Sequence, residues 1–233
     1  MNGPRFTLWH SAKSRSIRPL WAFYEMGLSE GTDFALKTLK FPPRLHHAEF
    51  AEHNPLKTVP WFEHQEPWDV RPRAAMSESC AVPMYVADLL RSPLAMKPGV
   101  DRDYGAYLNW MAHAEATLMF PQTIVMRYRL FEPERAEVAA DDYAHWFNAR
   151  LRLLNVALKD DRRFLCGDRL TVADICVAVS LFNASEHGMC GAGLIELGHE
   201  PLSSRFKPQT RAYLDRMMAR PTFIKAIMEP DAK

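Results

Sequence analysis

From Arg5 to His10 the chain is short and rich in β-forming side chains, and it stops at the small polar run Ser11-Ala12-Lys13-Ser14, the pattern of a strand ending in a turn. From Ile17 the apolar positions fall at Ile17, Leu20, Trp21 and Tyr24, a helical spacing that ends at Gly27. Pro19 sets the phase: a proline is tolerated only within the first turn, so the helix is predicted to begin near Ser16. Asp33 to Leu39 reads as a second strand and Leu45 to His53 as a short helix or loop. In Asn54-Pro55-Leu56-Lys57-Thr58-Val59-Pro60-Trp61-Phe62, Pro60 opens a third strand, where its missing donor does little harm. Gln65 to Arg73, with two prolines, reads as a loop before a short strand at Arg73 to Met76. Ser77-Glu78-Ser79-Cys80-Ala81 leads into the helical face Val82, Tyr85, Val86, Leu89 and Leu90, with Ser79 as predicted N-cap. Pro83 then lies deeper than the first turn and predicts a local distortion.

Between Arg91 and Arg102 the periodicity lapses across two prolines and a glycine, which marks a domain boundary. Beyond it the period is helical. Tyr104 to Arg129 is predicted as one long helix, bent at Pro121, and Pro133 to about Lys159 as a second, antiparallel to it. Thr171-Val172-Ala173-Asp174 has the form of a capping box, and Leu170 is placed to pack on Ile175 as a staple. The almost wholly apolar helix from 172 to about 186 is expected to be the buried centre of the second domain. Gly188 to Gly198 reads as a glycine-rich loop without a phosphate-binding pattern, before helices at about Pro208 to Ala219 and after Pro221.

Composition narrows the function classes. The 29 basic and 28 acidic residues of this 233-residue chain nearly cancel, which argues against a nucleic-acid or membrane-surface partner. No run of about 18 apolar residues exists and the N-terminus lacks a signal-peptide pattern, so a cytoplasmic protein is expected. The four cysteines have neither disulfide-scaffold density nor metal-site spacing and are read as buried small apolar residues, with no metal expected.

The first turn carries the candidate chemistry. A helix N-terminus has unpaired N–H groups and a partial positive charge that stabilise an anion, and Ser14 stands beside it. No histidine lies close enough in sequence to suggest a base. Ser14 is therefore read as a hydrogen-bond donor, with Ser11 and Ser16 as competing candidates, and all three serve equally as turn and cap residues.

In order along the chain, SAKSRSIR, NPLKTVPWF, SESCA and LTVAD together resemble the cytosolic glutathione transferase superfamily, over nearly the full length and in its serine-type, delta-theta-like form. The resemblance implies an α/β thioredoxin-like glutathione-binding domain at 1–91, a linker at 92–102, and an all-α substrate-binding domain at 103–233, paired as a homodimer. It implies glutathione as co-substrate, with Ser14 activating its thiol, four residues ahead of Arg18. Val59 would bond the cysteinyl part through its backbone, with Pro60 as a cis proline. Glu78 and Ser79 would hold the γ-glutamyl end, and Lys57 would face the glycine carboxylate. A small hydrophobic electrophile would lie against Trp110, His113 and Thr117, which share a helix face by their spacing. A free thiol titrates near 8.5, so lowering it by about two units needs roughly 2.7 kcal/mol of preference for the thiolate. A glutathione-dependent isomerase, ether-cleaving enzyme or dehalogenase would use the same thiolate, and a non-catalytic binding protein would share the fold.

Overall fold

The computed structural model describes residues 3–228. Two compact units emerge, Met1–Ala95 together with Arg220–Lys233, and Met96–Ala219. The segment from Arg220 groups with the first unit, whereas the sequence pattern places it in the helical domain at 103–233.

In the first unit β1 (Phe6–His10) is followed by α1 (Ile17–Glu25), β2 (Phe34–Thr38), the short α2 (Pro43–His46), β3 (Trp61–His64), β4 (Ala74–Met76) and α3 (Ala81–Leu89). The sheet runs β2-β1-β3-β4, with β1 parallel to β2 and antiparallel to β3, and β3 antiparallel to β4. A βαβ unit joined to a β-hairpin and a closing helix is the thioredoxin-like arrangement. Because strand side chains alternate, Phe6, Leu8 and His10 share one face of β1, and all three are wholly buried. Phe6 packs on Phe23 of α1 at 6.3 Å and on Phe62 at 5.6 Å, while Trp9 on the opposite face meets Phe50 and His53.

Pro19 and Pro83 each fall at the third position of their helices, where no intrahelical N–H is required. The distortion expected at Pro83 is therefore absent, because α3 starts at Ala81 with Cys80, and not Ser79, at its N-cap. The hydroxyl of Ser79 is otherwise engaged, as described below.

The terminal helix α10 of this unit is Pro221–Ile227 (α4 to α9 lie in the second unit). It is tied to α1 by Phe223 edge-on to Trp21 and by Arg220, which donates Nε and Nη2 to the Glu25 carboxylate at 2.5 and 2.8 Å. Burial alone would raise the Glu25 carboxyl. Hydrogen bonds from Arg220, Thr222 and Trp21, with the charge of Arg220, reverse this and hold it below its ordinary value. A carboxyl lowered by folding contributes stability that is present above its unfolded pKa and lost as pH falls through the folded one. Protection of the amides of residues 221–227 from hydrogen exchange should thus hold at neutral pH and fall below about pH 4. Glu25→Gln should show the reduced protection at every pH.

The second unit contains α4 (Tyr104–Ala112), α5 (Phe120–Met126), α6 (Glu137–Ala157), α7 (Val172–Ala184), α8 (Met189–Glu196) and α9 (Pro208–Met218). Between α4 and α5 the chain stays helical but widens into a π-helical stretch, His113–Met119. Pro121 explains the widening, since it has no N–H for the turn before it and its ring crowds a carbonyl there. The buried Gln122 amide donates to the carbonyl of Leu118 at 3.0 Å and across to that of Ser180 at 2.9 Å. The helix α6 begins at Glu137, four residues later than Pro133, after a turn closed by the Arg135 N–H on the Glu132 carbonyl, beside which Arg127 and Arg135 also pair with the Glu132 carboxylate.

Every residue of α7 is buried, and its capping box is formed: Asp174 accepts from the N–H and hydroxyl of Thr171, each at 2.9 Å. The expected glycine-rich loop is instead the helix α8. A side chain at Gly191 would place its Cβ 2.1 Å from the carbonyl oxygen of Ser185, so glycine here serves close packing and not flexibility. Cys166, Cys176 and Cys190 are buried and Cys80 partly so, all as free thiols.

Candidate active site

Strand direction brings three separate stretches to one end of the sheet. Trp9 pairs with Trp61, so the next step along each strand sets Pro60 beside His10. Phe62 pairs with Met76, so Ser77 to Ser79 leave β4 at that same end. The end of β2 arrives there too: Leu39 donates its N–H to the His10 carbonyl at 2.7 Å, and its own carbonyl accepts from the Ser11 hydroxyl at 2.6 Å. The serine turn, Val59-Pro60 and Glu78-Ser79 thus meet where β1 enters α1.

Within the turn the three serines differ. Ser11 and Ser16 have no exposure, whereas Ser14 keeps 8%. The Ser14 and Ser16 hydroxyl oxygens are 2.6 Å apart, and the Ser16 N–H donates to Ser14 Oγ at 3.2 Å. Ser16 Oγ also lies 2.7 Å from His10 Nδ1 and accepts from the Ser11 N–H at 3.2 Å. His10 is four positions from Ser14 and is connected to it through a single intervening hydroxyl. The expectation that no histidine lies close enough to Ser14 therefore fails at His10. The strand alternation Phe6, Leu8, His10, which turns His10 toward α1, was the signal available.

The head of α1 also departs from the expected arrangement of free donors. The N–H of Ile17 goes to the Ser14 carbonyl at 3.2 Å, that of Arg18 to the Arg15 carbonyl at 3.1 Å, and Pro19 has none. The helix contributes its dipole, and a direct hydrogen bond from this turn to an anion falls to a side chain.

Arg18 and Ser79, 61 residues apart, are brought together: Arg18 is wholly buried and donates from Nη1 to Ser79 Oγ at 2.7 Å. With one lone pair of its oxygen so engaged, Ser79 keeps its proton to offer elsewhere. Glu78 is exposed. The stretch before β3 is organised by Asn54, which is 1% exposed, donates to the Thr58 carbonyl at 2.8 Å and accepts from the Leu56 N–H at 3.0 Å. It folds the chain so that Lys57, partly buried, adopts a left-handed φ of 51°. A non-glycine residue held there costs on the order of 1 kcal/mol, which marks the loop as tightly determined. Val59 is buried and the Val59-Pro60 bond is cis, as is Phe41-Pro42.

In the second unit His113 and Thr117 line a cavity of about 590 Å³ with Trp146, Ala149, Arg150, Arg152 and Leu153. Trp110 is not on its wall. It is buried in the core and meets the His113 ring edge-on at 5.3 Å. Burial, with the positive charge of Arg150 added, holds the His113 imidazole below its ordinary pKa, so it is neutral at pH 7. Its Nε2 is buried and hydrogen-bonded to nothing among the described residues. Among the described residues no group of histidine, cysteine and carboxylate side chains has the arrangement of a metal site, and no helix is long and apolar enough to cross a membrane.

Residues 113–221 match the family model of the glutathione S-transferase C-terminal domain. The sequence matches none of the curated proteins. Solved structures resemble it over nearly the whole chain. The glutathione transferase URE2P8 from Phanerochaete chrysosporium, with oxidized glutathione, is 21% identical with a TM-score of 0.75 over 96% of this chain and 93% of that one. A glutathione transferase family member from Pseudomonas fluorescens, with two glutathione bound, is 20% identical with a TM-score of 0.74 over 97% and 93%. A glutathione transferase from Burkholderia graminis, with two glutathione molecules bound per subunit, is 18% identical with a TM-score of 0.75 over 98% and 90%. At these identities the likeness establishes the fold.

Proposed function

We propose that this protein is a glutathione transferase in which the Ser14 hydroxyl stabilises the thiolate of bound glutathione for attack on a small hydrophobic electrophile. The observation that carries the reading is the placement of Ser14: at the head of α1, it is the one serine of the turn that keeps exposure, at the sheet end where the other two predicted binding stretches arrive. The glutathione bound in the similar structures, and the match to the transferase C-terminal domain, support the same substrate.

In this reading the backbone of Val59, next to Pro60, pairs with the cysteinyl residue. Ser79, oriented by Arg18, and Glu78 receive the carboxylate and amine of the γ-glutamyl end, a match of donors to carboxylate and of carboxylate to ammonium. Lys57 meets the glycine carboxylate. The thiol proton passes to solvent water, the sulfur lone pair of the thiolate attacks the electrophilic carbon to form the C–S bond, and the bond to the leaving group breaks with the leaving group taking its electron pair. His113 and Thr117 are the residues of the helical unit proposed to contact the second substrate, with Trp110 bracing His113 from the core. The protein is proposed to act as a homodimer.

The test has two arms. The protein should be retained on immobilised glutathione and released by free glutathione, and it should then conjugate a generic aryl halide. Retention without turnover of any electrophile would place it among non-catalytic binding proteins, turnover only of isomerisation, ether-cleavage or dehalogenation substrates would move the second site, and no retention would overturn the reading.

A further inference from the structure

We propose that His10 is a positioning residue for Ser14: acting through Ser16, it fixes the direction in which the Ser14 hydroxyl proton points. The inference rests on the reading of Ser14 as donor to a bound thiolate.

A hydroxyl has one proton to give and two lone pairs to fill, so a closed set of neighbours dictates its orientation. His10, Ser11 and Ser16 have no exposure, so water does not compete within the set. When His10 carries its proton on Nδ1, that N–H donates to Ser16 Oγ at 2.7 Å, and the Ser11 N–H donates to the same oxygen at 3.2 Å. Both lone pairs of Ser16 are then occupied. Its proton goes to Ser14 Oγ at 2.6 Å in preference to the Ser11 carbonyl at 3.3 Å. Ser14 Oγ now accepts from the Ser16 hydroxyl and from the Ser16 N–H at 3.2 Å, so its lone pairs are filled in turn. Its own proton is turned outward, toward the position proposed for the sulfur.

The other tautomer reverses the two side-chain links and leaves the backbone N–H donors as they are. With Nδ1 bare, Ser16 donates to the imidazole, Ser14 donates to Ser16, and Ser14 shows an anion its remaining lone pair. A thiolate therefore selects the arrangement in which His10 donates, and a chain of hydrogen bonds aligned in one sense strengthens each member. The buried imidazole thus supplies direction to a donor it does not itself share with the substrate.

The test compares His10→Leu, which removes the donor, with His10→Asn, which keeps an N–H near the place of Nδ1, in the full-length protein with glutathione bound. Ultraviolet absorbance of the bound thiolate, titrated against pH, is read with the Kd for glutathione and with kcat for the aryl halide. His10→Leu should raise the apparent pKa of the bound thiol by about one unit and lower kcat roughly tenfold, with Kd changed by less than about threefold. His10→Asn should recover most of both. Ser16→Ala interrupts the chain while keeping the imidazole itself in the protein and should reproduce the pKa change. It also keeps the proposal testable where His10→Leu folds poorly.

Wild-type protein that gives no bound-thiolate signal overturns the reading of Ser14 and this inference with it. A wild-type signal that disappears in Ser14→Ala but persists unshifted in His10→Leu and Ser16→Ala overturns the inference alone. So does equal loss in His10→Leu and His10→Asn accompanied by loss of glutathione binding, the mark of a purely structural role.

Discussion

Ser14→Ala should lower kcat with an aryl halide about 10- to 100-fold while changing glutathione affinity by no more than a few-fold. A hydrogen bond to a charged group contributes about 1.5–3 kcal/mol, and each 1.36 kcal/mol is a factor of ten in rate. Since the N–H groups of Ile17 and Arg18 are spent on carbonyls within the turn, the backbone at these two positions leaves no donor to replace the lost hydroxyl. The bound thiol should titrate about one to two units higher in the variant, so part of the lost rate should return as pH is raised. Affinity is expected to rest mainly on the other proposed contacts, those of Ser79 and of the Val59 backbone among them. Ser11→Ala is the control: its hydroxyl is committed to the Leu39 carbonyl, so it should affect stability and leave the thiol pKa near the wild-type value. Steady-state kinetics with a pH titration of the bound thiol separate these outcomes.

The second large effect concerns the helical unit. Asp174→Ala should destabilise that unit by about 3–5 kcal/mol and lower its melting temperature on the order of 10 °C. Asp174 has no exposure, and its two oxygens accept from the N–H of Leu165 at 2.8 Å and from the N–H and hydroxyl of Thr171 and the phenol of Tyr213 at 2.9 Å each. Truncation strands four buried donors at once, and one of them, Tyr213, is itself wholly buried. Burial pushes the Asp174 carboxyl upward and the hydrogen bonds pull it back, and burial with the neighbouring carboxylate pushes the Tyr213 phenol well above its ordinary 10. Asp174→Asn keeps the shape but turns an amide N–H toward donors, so it should fall between wild type and Asp174→Ala. Thr171→Val, which removes one hydroxyl, should cost about 1 kcal/mol. Thermal unfolding followed by circular dichroism gives the ranking.

These features were unequally visible in the chain. The capping box was legible because Thr171 and Asp174 are three residues apart and their partnership is local. What the sequence could not display was the reach of Asp174 to Leu165 and Tyr213, which depends on how α9 packs on α7. The serine turn and the phase set by Pro19 were likewise local. Helix α8 was hidden because glycine propensity argues for a loop, whereas at Gly191 the carbonyl of Ser185 leaves no room for a side chain and packing overrides propensity. Pro133 is compatible with a first turn, but the chain closes a separate turn there, with the Arg135 N–H on the Glu132 carbonyl, before α6 begins at Glu137. In the site, Arg18 and Ser79 are linked across 61 residues, a distance that periodicity does not bridge. His10 was within reach of a parity argument along β1, since Phe6 and Leu8 already identify the inward face.

Where the tripeptide's sulfur rests decides the proposed chemistry, and a structure of the protein with reduced glutathione measures this directly. The prediction is a sulfur within hydrogen-bond distance of Ser14 Oγ, nearer to it than to the hydroxyls of Ser11 and Ser16, with the γ-glutamyl end at Glu78 and Ser79. A sulfur directed away from the serine turn, or a crystal grown in excess glutathione with this end of the sheet empty, would contradict it.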